Sequence, residues 1–185
     1  MGIKTHKLTG TFRTFIEKQV MFFVATAAAD GRVNLSPKGM DSLRVVSDRK
    51  IVWLSLTGSG NETAAHLLQN PRMTLMFCAF EGAPLILRTY GQARVIHPRD
   101  PEWSDFYKLF PDYASARNIF VLEIDLVTTS CGTGVPEMSM VRSRGETDLE
   151  PYYAEMGPKK VHEFWNRKNL TSLDAKPTGI FGNPS

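Results

Sequence analysis

The feature that most constrains this chain is a succession of short β-forming runs separated by turns too brief to hold a helix. Residues 20–28 are rich in β-formers and end at Ala29-Asp30-Gly31, and Asp-Gly between two strand-like runs is a hairpin turn. Runs at 33–36, 42–46 and 50–56 follow, the last two joined through Asp48-Arg49. Residues 72–80, 84–96 and 118–129 also read as strands. In the last of these, Phe120, Leu122, Ile124 and Leu126 fall on one face and Glu123 and Asp125 on the other, the alternation of a half-buried strand. Gly91 interrupts 84–96, and a missing side chain inside a strand marks a bulge or a close ligand approach. Six or seven strands joined by short turns leave edges exposed, and closing the sheet on itself removes them. The expected fold class is therefore mainly β (α+β), an antiparallel barrel with peripheral helices.

Four helices interrupt this framework. Thr11 is placed to cap a short one whose Phe12, Phe15, Ile16 and Gln19 follow helical spacing. A second starts after Asn61, a good N-cap, and must stop at Asn70-Pro71, because proline disfavours helical geometry in the residue before it. A third runs from Asp100-Pro101 through Trp103, Phe106, Tyr107 and Phe110 to Pro111. The fourth lies near 159–168 and leads to a tail with Pro177, Gly179, Gly182 and Pro184, expected to lie along another surface or fray.

The chain has 185 residues, enough for one domain with a substantial core, and no linker divides it. A single domain over 1–185 is expected, its C-terminal helix and tail starting at about 158. Charged residues make up 22% and the net charge is +3; Lys and Arg never cluster into a run, which argues against a nucleic-acid surface and suits a small anionic ligand better. The longest apolar stretch, 20–29, is too short to span a bilayer, and the start lacks a hydrophobic signal core, so no membrane association and a cytoplasmic location are expected. The two cysteines, Cys78 and Cys131, have no C-x-x-C spacing and are read as reduced thiols. His66 and His97 have no second ligand at metal spacing, so no metal site is expected.

Two segments carry the chemistry. Val33-Asn34-Leu35-Ser36-Pro37-Lys38-Gly39 and Gly58-Ser59-Gly60-Asn61-Glu62-Thr63 each run from an apolar strand into hydroxyl, amide and glycine groups. The second opens a helix, whose free backbone N–H groups attract anions. Either segment alone is compatible with an ordinary turn or an ordinary cap; together they point to a phosphorylated ligand. A third loop, Ser130-Cys131-Gly132-Thr133-Gly134, follows the last long strand, and its glycines would let backbone N–H groups approach a ligand closely. It is equally compatible with a strand-ending turn around an inert cysteine.

Over roughly residues 11–127 these segments, with Asn70-Pro71-Arg72 and Arg88-Thr89-Tyr90-Gly91, resemble the FMN-binding split barrels typified by pyridoxamine-phosphate oxidase. The resemblance implies a split barrel, a homodimer with FMN in clefts between subunits, and redox chemistry on a small organic substrate or nicotinamide donor. Matched by position, it implies cofactor contacts from Asn34, Ser36, Lys38, Leu56, Thr57, Gly60, Asn61, Thr63 and Arg88, and the loop of Ser130, Cys131 and Gly132 is expected to border the flavin ring. A binding or storage protein for flavin, a deazaflavin or haem is the alternative in the same cleft. Two departures matter. Glu62-Thr63 stands where those oxidases carry an Arg-Lys pair at the phosphate-binding helix start, leaving Lys38, Arg88 and backbone N–H groups to hold a phosphate. Glu163-Phe164-Trp165-Asn166-Arg167 echoes the oxidases' C-terminal segment, but the Arg-x-His that grips the vitamin phosphate is replaced by the neighbourhood of Leu170-Thr171-Ser172.

Overall fold

A computed structural model describes residues 2–182; of the expected tail, Pro184 lies outside the described residues. The elements run β1 (Lys4–Thr5), α1 (Gly10–Glu17), β2 (Met21–Thr26), β3 (Asn34–Gly39), β4 (Leu43–Ser47), β5 (Lys50–Leu56), α2 (Glu62–Leu67), β6 (Arg72–Cys78), β7 (Ile86–Ile96), α3 (Trp103–Tyr107), β8 (Ala116–Ser130) and α4 (Glu150–Lys168). A π-helical turn, Gly145–Leu149, leads into α4. One antiparallel sheet is ordered β3-β2-β6-β7-β8-β5-β4, with β1 added to the end of β8.

β3 and β4 are consecutive in the chain yet lie at opposite ends of that order. Only Met40, Asp41 and Ser42 join them, and three residues span at most about 10 Å. The sheet must therefore curl until its two edges nearly meet, which gives an open, split barrel instead of a fully closed one.

The interior is filled by alternate residues of each strand. Phe22, Val24, Trp53, Leu75, Phe77, Leu87, Phe120 and Leu122 form the main cluster, sealed by Phe12 and Ile16 of α1 and Ala64 and Leu67 of α2. Trp53 stacks on Phe120 with centroids 4.4 Å apart. Helix α1 starts two residues before the sequence suggests, because Thr9 and not Thr11 caps it: the Thr9 hydroxyl accepts the Phe12 N–H at 3.2 Å.

The half-buried reading of β8 needs correction in two places. Ile119 and Val121 are buried as well as Phe120 and Leu122, because Val52, Leu54 and Ile96 join them in a second cluster on the other side, covered by Phe110 and α3. Further along, Tyr90 pairs with Leu126 but Gly91 pairs with Ile124, so Asp125 is an extra residue. A bulge of one residue reverses which side chains point inward. Val127 accordingly fills the core and Leu126 turns outward to a half-buried position.

Helix α4 is broken at Gly157 (φ 74°), followed by Pro158, and only the part after the break is visible in the sequence pattern. The tail is docked: Arg99 donates to the carbonyls of Gly179 and Ile180 at 2.6 Å each, and Thr171 bridges to Pro177.

Gly91 is fixed by backbone approach. A Cβ there would run into the Glu123 carbonyl, 2.8 Å from its carbon, and stand 3.1 Å from the Ile124 Cα. Gly91→Ala is therefore expected to lose about 1–3 kcal/mol of stability; urea unfolding measures it, and an unchanged midpoint would mean that the bulge is soft.

Candidate functional site

Along the split edge of the barrel lies a cleft of about 620 Å³, bounded by Pro37, Lys38 and Gly39 of β3, by Leu54 and Leu56 of β5, and by Thr57 and Gly58 beyond it. Met21, Met40, Met138 and Met140 make much of its wall apolar, and its charged lining residues are Lys38, Arg142 and Arg144, with no carboxylate among them. Its size falls within the range of small-molecule sites.

Lys38 reaches this cleft because β3 alternates: Lys38 pairs with Phe22 and Ser36 with Val24, so both face inward. The Lys38 ammonium lies 5.8 Å from the centroid of the Trp53 ring. No ion pair reaches it among the described residues. Burial, with a smaller contribution from the charge of Arg117, pushes its pKa down to about 8.

Arg117, at the start of β8, is buried and likewise has no carboxylate. Its guanidinium donates to the carbonyls of Gly58 (3.2 Å) and Gly60 (2.9 Å), to Asn169 Oδ1 (2.9 Å) and to Ser55 Oγ (3.3 Å). Burial lowers its pKa to about 10, and its Nε finds no partner. The sequence reading passed over it; the available signal was a cation set in Ala116-Arg117-Asn118-Ile119-Phe120, a run otherwise built for the interior. Arg117 is answered by these oxygens, whereas Lys38, half-buried and without a counter-ion among the described residues, favours an anion nearby, since a desolvated charge is costly unless compensated.

Asn34, Gly60, Asn61 and Thr63 are brought together, but they serve an internal network. Asn61 does not cap α2 with its side chain: Asn118 Nδ2 donates to Asn61 Oδ1 at 2.8 Å, and Asn61 Nδ2 is buried without a partner. Asn34 Nδ2 lies 3.3 Å from Thr63 Oγ1 and 3.4 Å from Thr26 Oγ1, and Thr26 Oγ1 lies 3.1 Å from Nδ1 of the buried His66. Glu62 turns toward the C-terminal segment, its two carboxylate oxygens accepting the Leu173 N–H at 3.1 and 3.0 Å. Thr57 is held by Trp165, whose Nε1–H donates to its hydroxyl at 2.9 Å.

Arg88 and the loop after β8 are elsewhere. Arg88 pairs with Met76, which pairs with Phe23, which pairs with Pro37; Arg88 therefore points out of the face opposite to Lys38, and within one chain the two cannot share a phosphate. Arg88 donates to Ser130 Oγ at 3.1 Å. Gly132 has φ +73°, and a Cβ on it would meet the Leu85 amide nitrogen at 2.8 Å, so neighbouring backbone accounts for this glycine. Cys131 is exposed, and the hydroxyl and N–H of Thr133 hold its thiol below the usual pKa. None of Ser130, Cys131 and Gly132 lines the cleft. Among the described residues no three His, Cys, Asp or Glu side chains gather around a point, and no helix is long and apolar enough to cross a membrane.

The sequence profile described as pyridoxamine 5′-phosphate oxidase matches residues 8–131, the stretch from α1 to the end of β8. The chain belongs to the pyridoxamine 5′-phosphate oxidase family. The family protein ustO of Aspergillus flavus is 37% identical to it over 193 aligned residues, covering 96% of this chain and 78% of the relative. Among solved structures, HupZ of Group A Streptococcus superposes with a TM-score of 0.52 at 20% identity, over 64% of this chain and 91% of that one. A Lactobacillus delbrueckii protein of the pyridoxamine 5′-phosphate oxidase type gives 0.50 at 22%, over 66% and 94%. At these identities the two structures speak for the fold alone. The profile stops before α4 and the tail, the parts that supply Trp165, Asn169 and Leu173 to the site.

Lys38 makes stability depend on pH. Its ammonium titrates at 10.5 in an unfolded chain and at about 8 in the fold. Between those values the unfolded state binds more protons, so stability rises with pH from about 8 to 10.5, and below about 8 the full burial cost remains. In ligand-free protein, Lys38→Met is expected to exceed the parent by on the order of 3 kcal/mol below pH 8, the gap closing toward pH 10.5. Urea unfolding at a series of pH values tests this, and a gap that ignores pH would refute it.

Proposed function

We propose that this member of the family binds a flavin, as FMN, in the cleft beside Lys38 and works as an oxidoreductase on a small organic substrate or a nicotinamide donor. The observation that carries the reading is the half-buried ammonium of Lys38, without an ion pair among the described residues, on an apolar cleft of about 620 Å³ without a lining carboxylate. A flat, largely apolar ring with an electron-rich edge suits such a wall, and the residues present fit it. When bound, the flavin supplies electron transfer between donor and acceptor.

The chain's own part is positioning and electrostatics. Leu54, Leu56 and the methionines exclude water, which strengthens the field of Lys38 on any negative charge that builds up beside it. Arg117 and Trp165 fix Thr57 and Gly58 at the rim. Among the lining residues no histidine or carboxylate stands ready as an acid or base, which suits a reaction whose chemistry belongs to the cofactor. The reading includes a homodimer: Arg88, Ser130 and Cys131 face away from the cleft of their own chain and would meet a cofactor only through a second copy.

The absorption spectrum of purified protein separates flavin from deazaflavin or haem, and NAD(P)H consumption by the flavin-loaded form separates enzyme from binding protein. Titration with FMN is expected to give saturable binding that Lys38→Ala weakens about ten- to a hundredfold, the worth of one charge-assisted contact. Unchanged affinity in Lys38→Ala would remove this cleft from consideration.

A further inference from the structure

We propose that this chain does not recognise a ligand's phosphate at the start of α2, because its own C-terminal turn is seated there, and that it therefore binds flavin with little preference for FMN over riboflavin. The inference rests on the flavin reading for its ligand, but its structural basis is separate.

The turn spans residues 172–176. It is closed by the Ala175 N–H donating to the Ser172 carbonyl at 3.0 Å, the Ser172 N–H donating to the Lys176 carbonyl at 2.8 Å, and the Lys176 N–H donating to Ser172 Oγ at 3.1 Å. Ala175 has φ +58°, a conformation a non-glycine residue holds only where its surroundings fix it. Two elements do so. On one side, Glu62 in the first turn of α2 receives the Leu173 N–H on both carboxylate oxygens. On the other side is the β2–β3 turn. There Asp174 accepts the Arg32 N–H at 2.7 Å and pairs with the Arg32 guanidinium, and Lys176 pairs with Asp30. Contact is close enough that a Cβ on Gly31 would stand 3.0 Å from the Asp174 carboxyl carbon.

The charges around this hollow are accounted for except at one position. Arg32 is committed to Asp174 and Lys176 to Asp30, and Arg117 behind the loop is spent on carbonyls and an amide. The carboxylate of Glu62 is answered by a backbone N–H, and the polar hollow beside it, lined also by Arg32, His66 and Lys168, keeps one exposed cation without an ion pair among the described residues, Lys168. A phosphate dianion brought to this end of α2 would face the carboxylates of Glu62 and Asp174 and would find only the solvated Lys168 as a cation unless it broke the Arg32 pair. Glu62 thus does the reverse of what an Arg-Lys pair would do: it binds a peptide N–H of its own chain where a cation would bind phosphate. The α2 helix itself is only six residues long, too short to offset two carboxylates.

The test uses the full chain freed of cofactor. Riboflavin and FMN, titrated separately and followed by flavin fluorescence, are expected to bind within about threefold of each other, since a phosphate held by charge-assisted bonds would separate them by about ten- to a hundredfold. FMN binding tenfold or more tighter than riboflavin would overturn the proposal. A second measurement does not depend on flavin: inorganic phosphate at millimolar concentration is expected to leave the amide NMR signals of Glu62, Thr63 and Leu173 in place, and saturable shifts there would overturn it. If neither flavin binds while those amides stay unmoved, the flavin reading fails and the closed phosphate position stands.

Discussion

The interaction on which the rest of this structure depends is the buried guanidinium of Arg117. It reaches from the start of β8 to the carbonyls of Gly58 and Gly60, to Ser55 at the end of β5 and to the side chain of Asn169 at the end of α4. Asn169 closes the circuit by donating to the Gly58 carbonyl at 2.9 Å, and its own carbonyl accepts the Thr178 hydroxyl at 2.6 Å. One cation thus joins the loop that borders the cleft, the barrel strand behind it and the C-terminal segment in front. Remove it and the buried Asn169 Oδ1 loses its donor, which costs about 1–3 kcal/mol for a group left unsatisfied. The guanidinium suits this post because its planar fork donates to several oxygens at fixed angles, which an ammonium cannot do.

How much of this was readable from the sequence follows from which physics is local. Strand β5 is where its β-formers and the Asp48-Arg49 turn place it, and the Asp30-Gly31 turn has its glycine at φ +91°. Of the two readings of Gly91 the bulge is the one found, and what crowds it is the backbone of β8; the consequence, that Asp125 becomes an extra residue and hands the core position from Leu126 to Val127, needs the partner strand in hand. The same holds for the site. Lys38, Leu56 and Thr57 come together because they sit on elements joined through short connections. Arg88 looked like a companion to Lys38 along the chain, but the intervening register turns it to the other face, and no periodicity within one strand reveals that. Arg117, Asn169 and Leu173 act across more than fifty residues of sequence, so their pairing is invisible until the fold exists.

Family membership and the altered helix start are compatible once the two ends of the site are treated separately. The cleft beside Lys38 has its floor on β3 and β5, within the part of the chain that matches the family profile, and one wall on residues 138–149, beyond it. The hollow beside Glu62 is completed by residues 168 and 171–173, beyond it. A C-terminal segment laid on the barrel can shape both ends of a ligand site, because contacts from a docked segment are gained without moving a strand. Glu62 is the residue through which that shaping is felt in the barrel itself.

The cleft exists because the sheet fails to close, and the reason is legible at Pro37. On an edge strand a proline supplies no N–H, so it ends the edge's capacity to recruit another strand at that point. Pro37 pairs with Phe23 of β2 on one side and lines the cleft on the other, so at that point β3 has no donor to offer β4. The connection that would have to bring β4 alongside turns away instead, with Met40 at φ 63° and the Ser42 hydroxyl folded back to donate to the Gly39 carbonyl at 2.7 Å. Ser42 then gives its carbonyl to the Leu54 N–H at 2.8 Å, committing the chain to β5. A closed barrel would place Lys38 against a neighbouring strand, where its charge would have to be neutralised or lost. In the split barrel the same residue stands at an opening, buried by its own stem against Trp53 yet within reach of whatever enters.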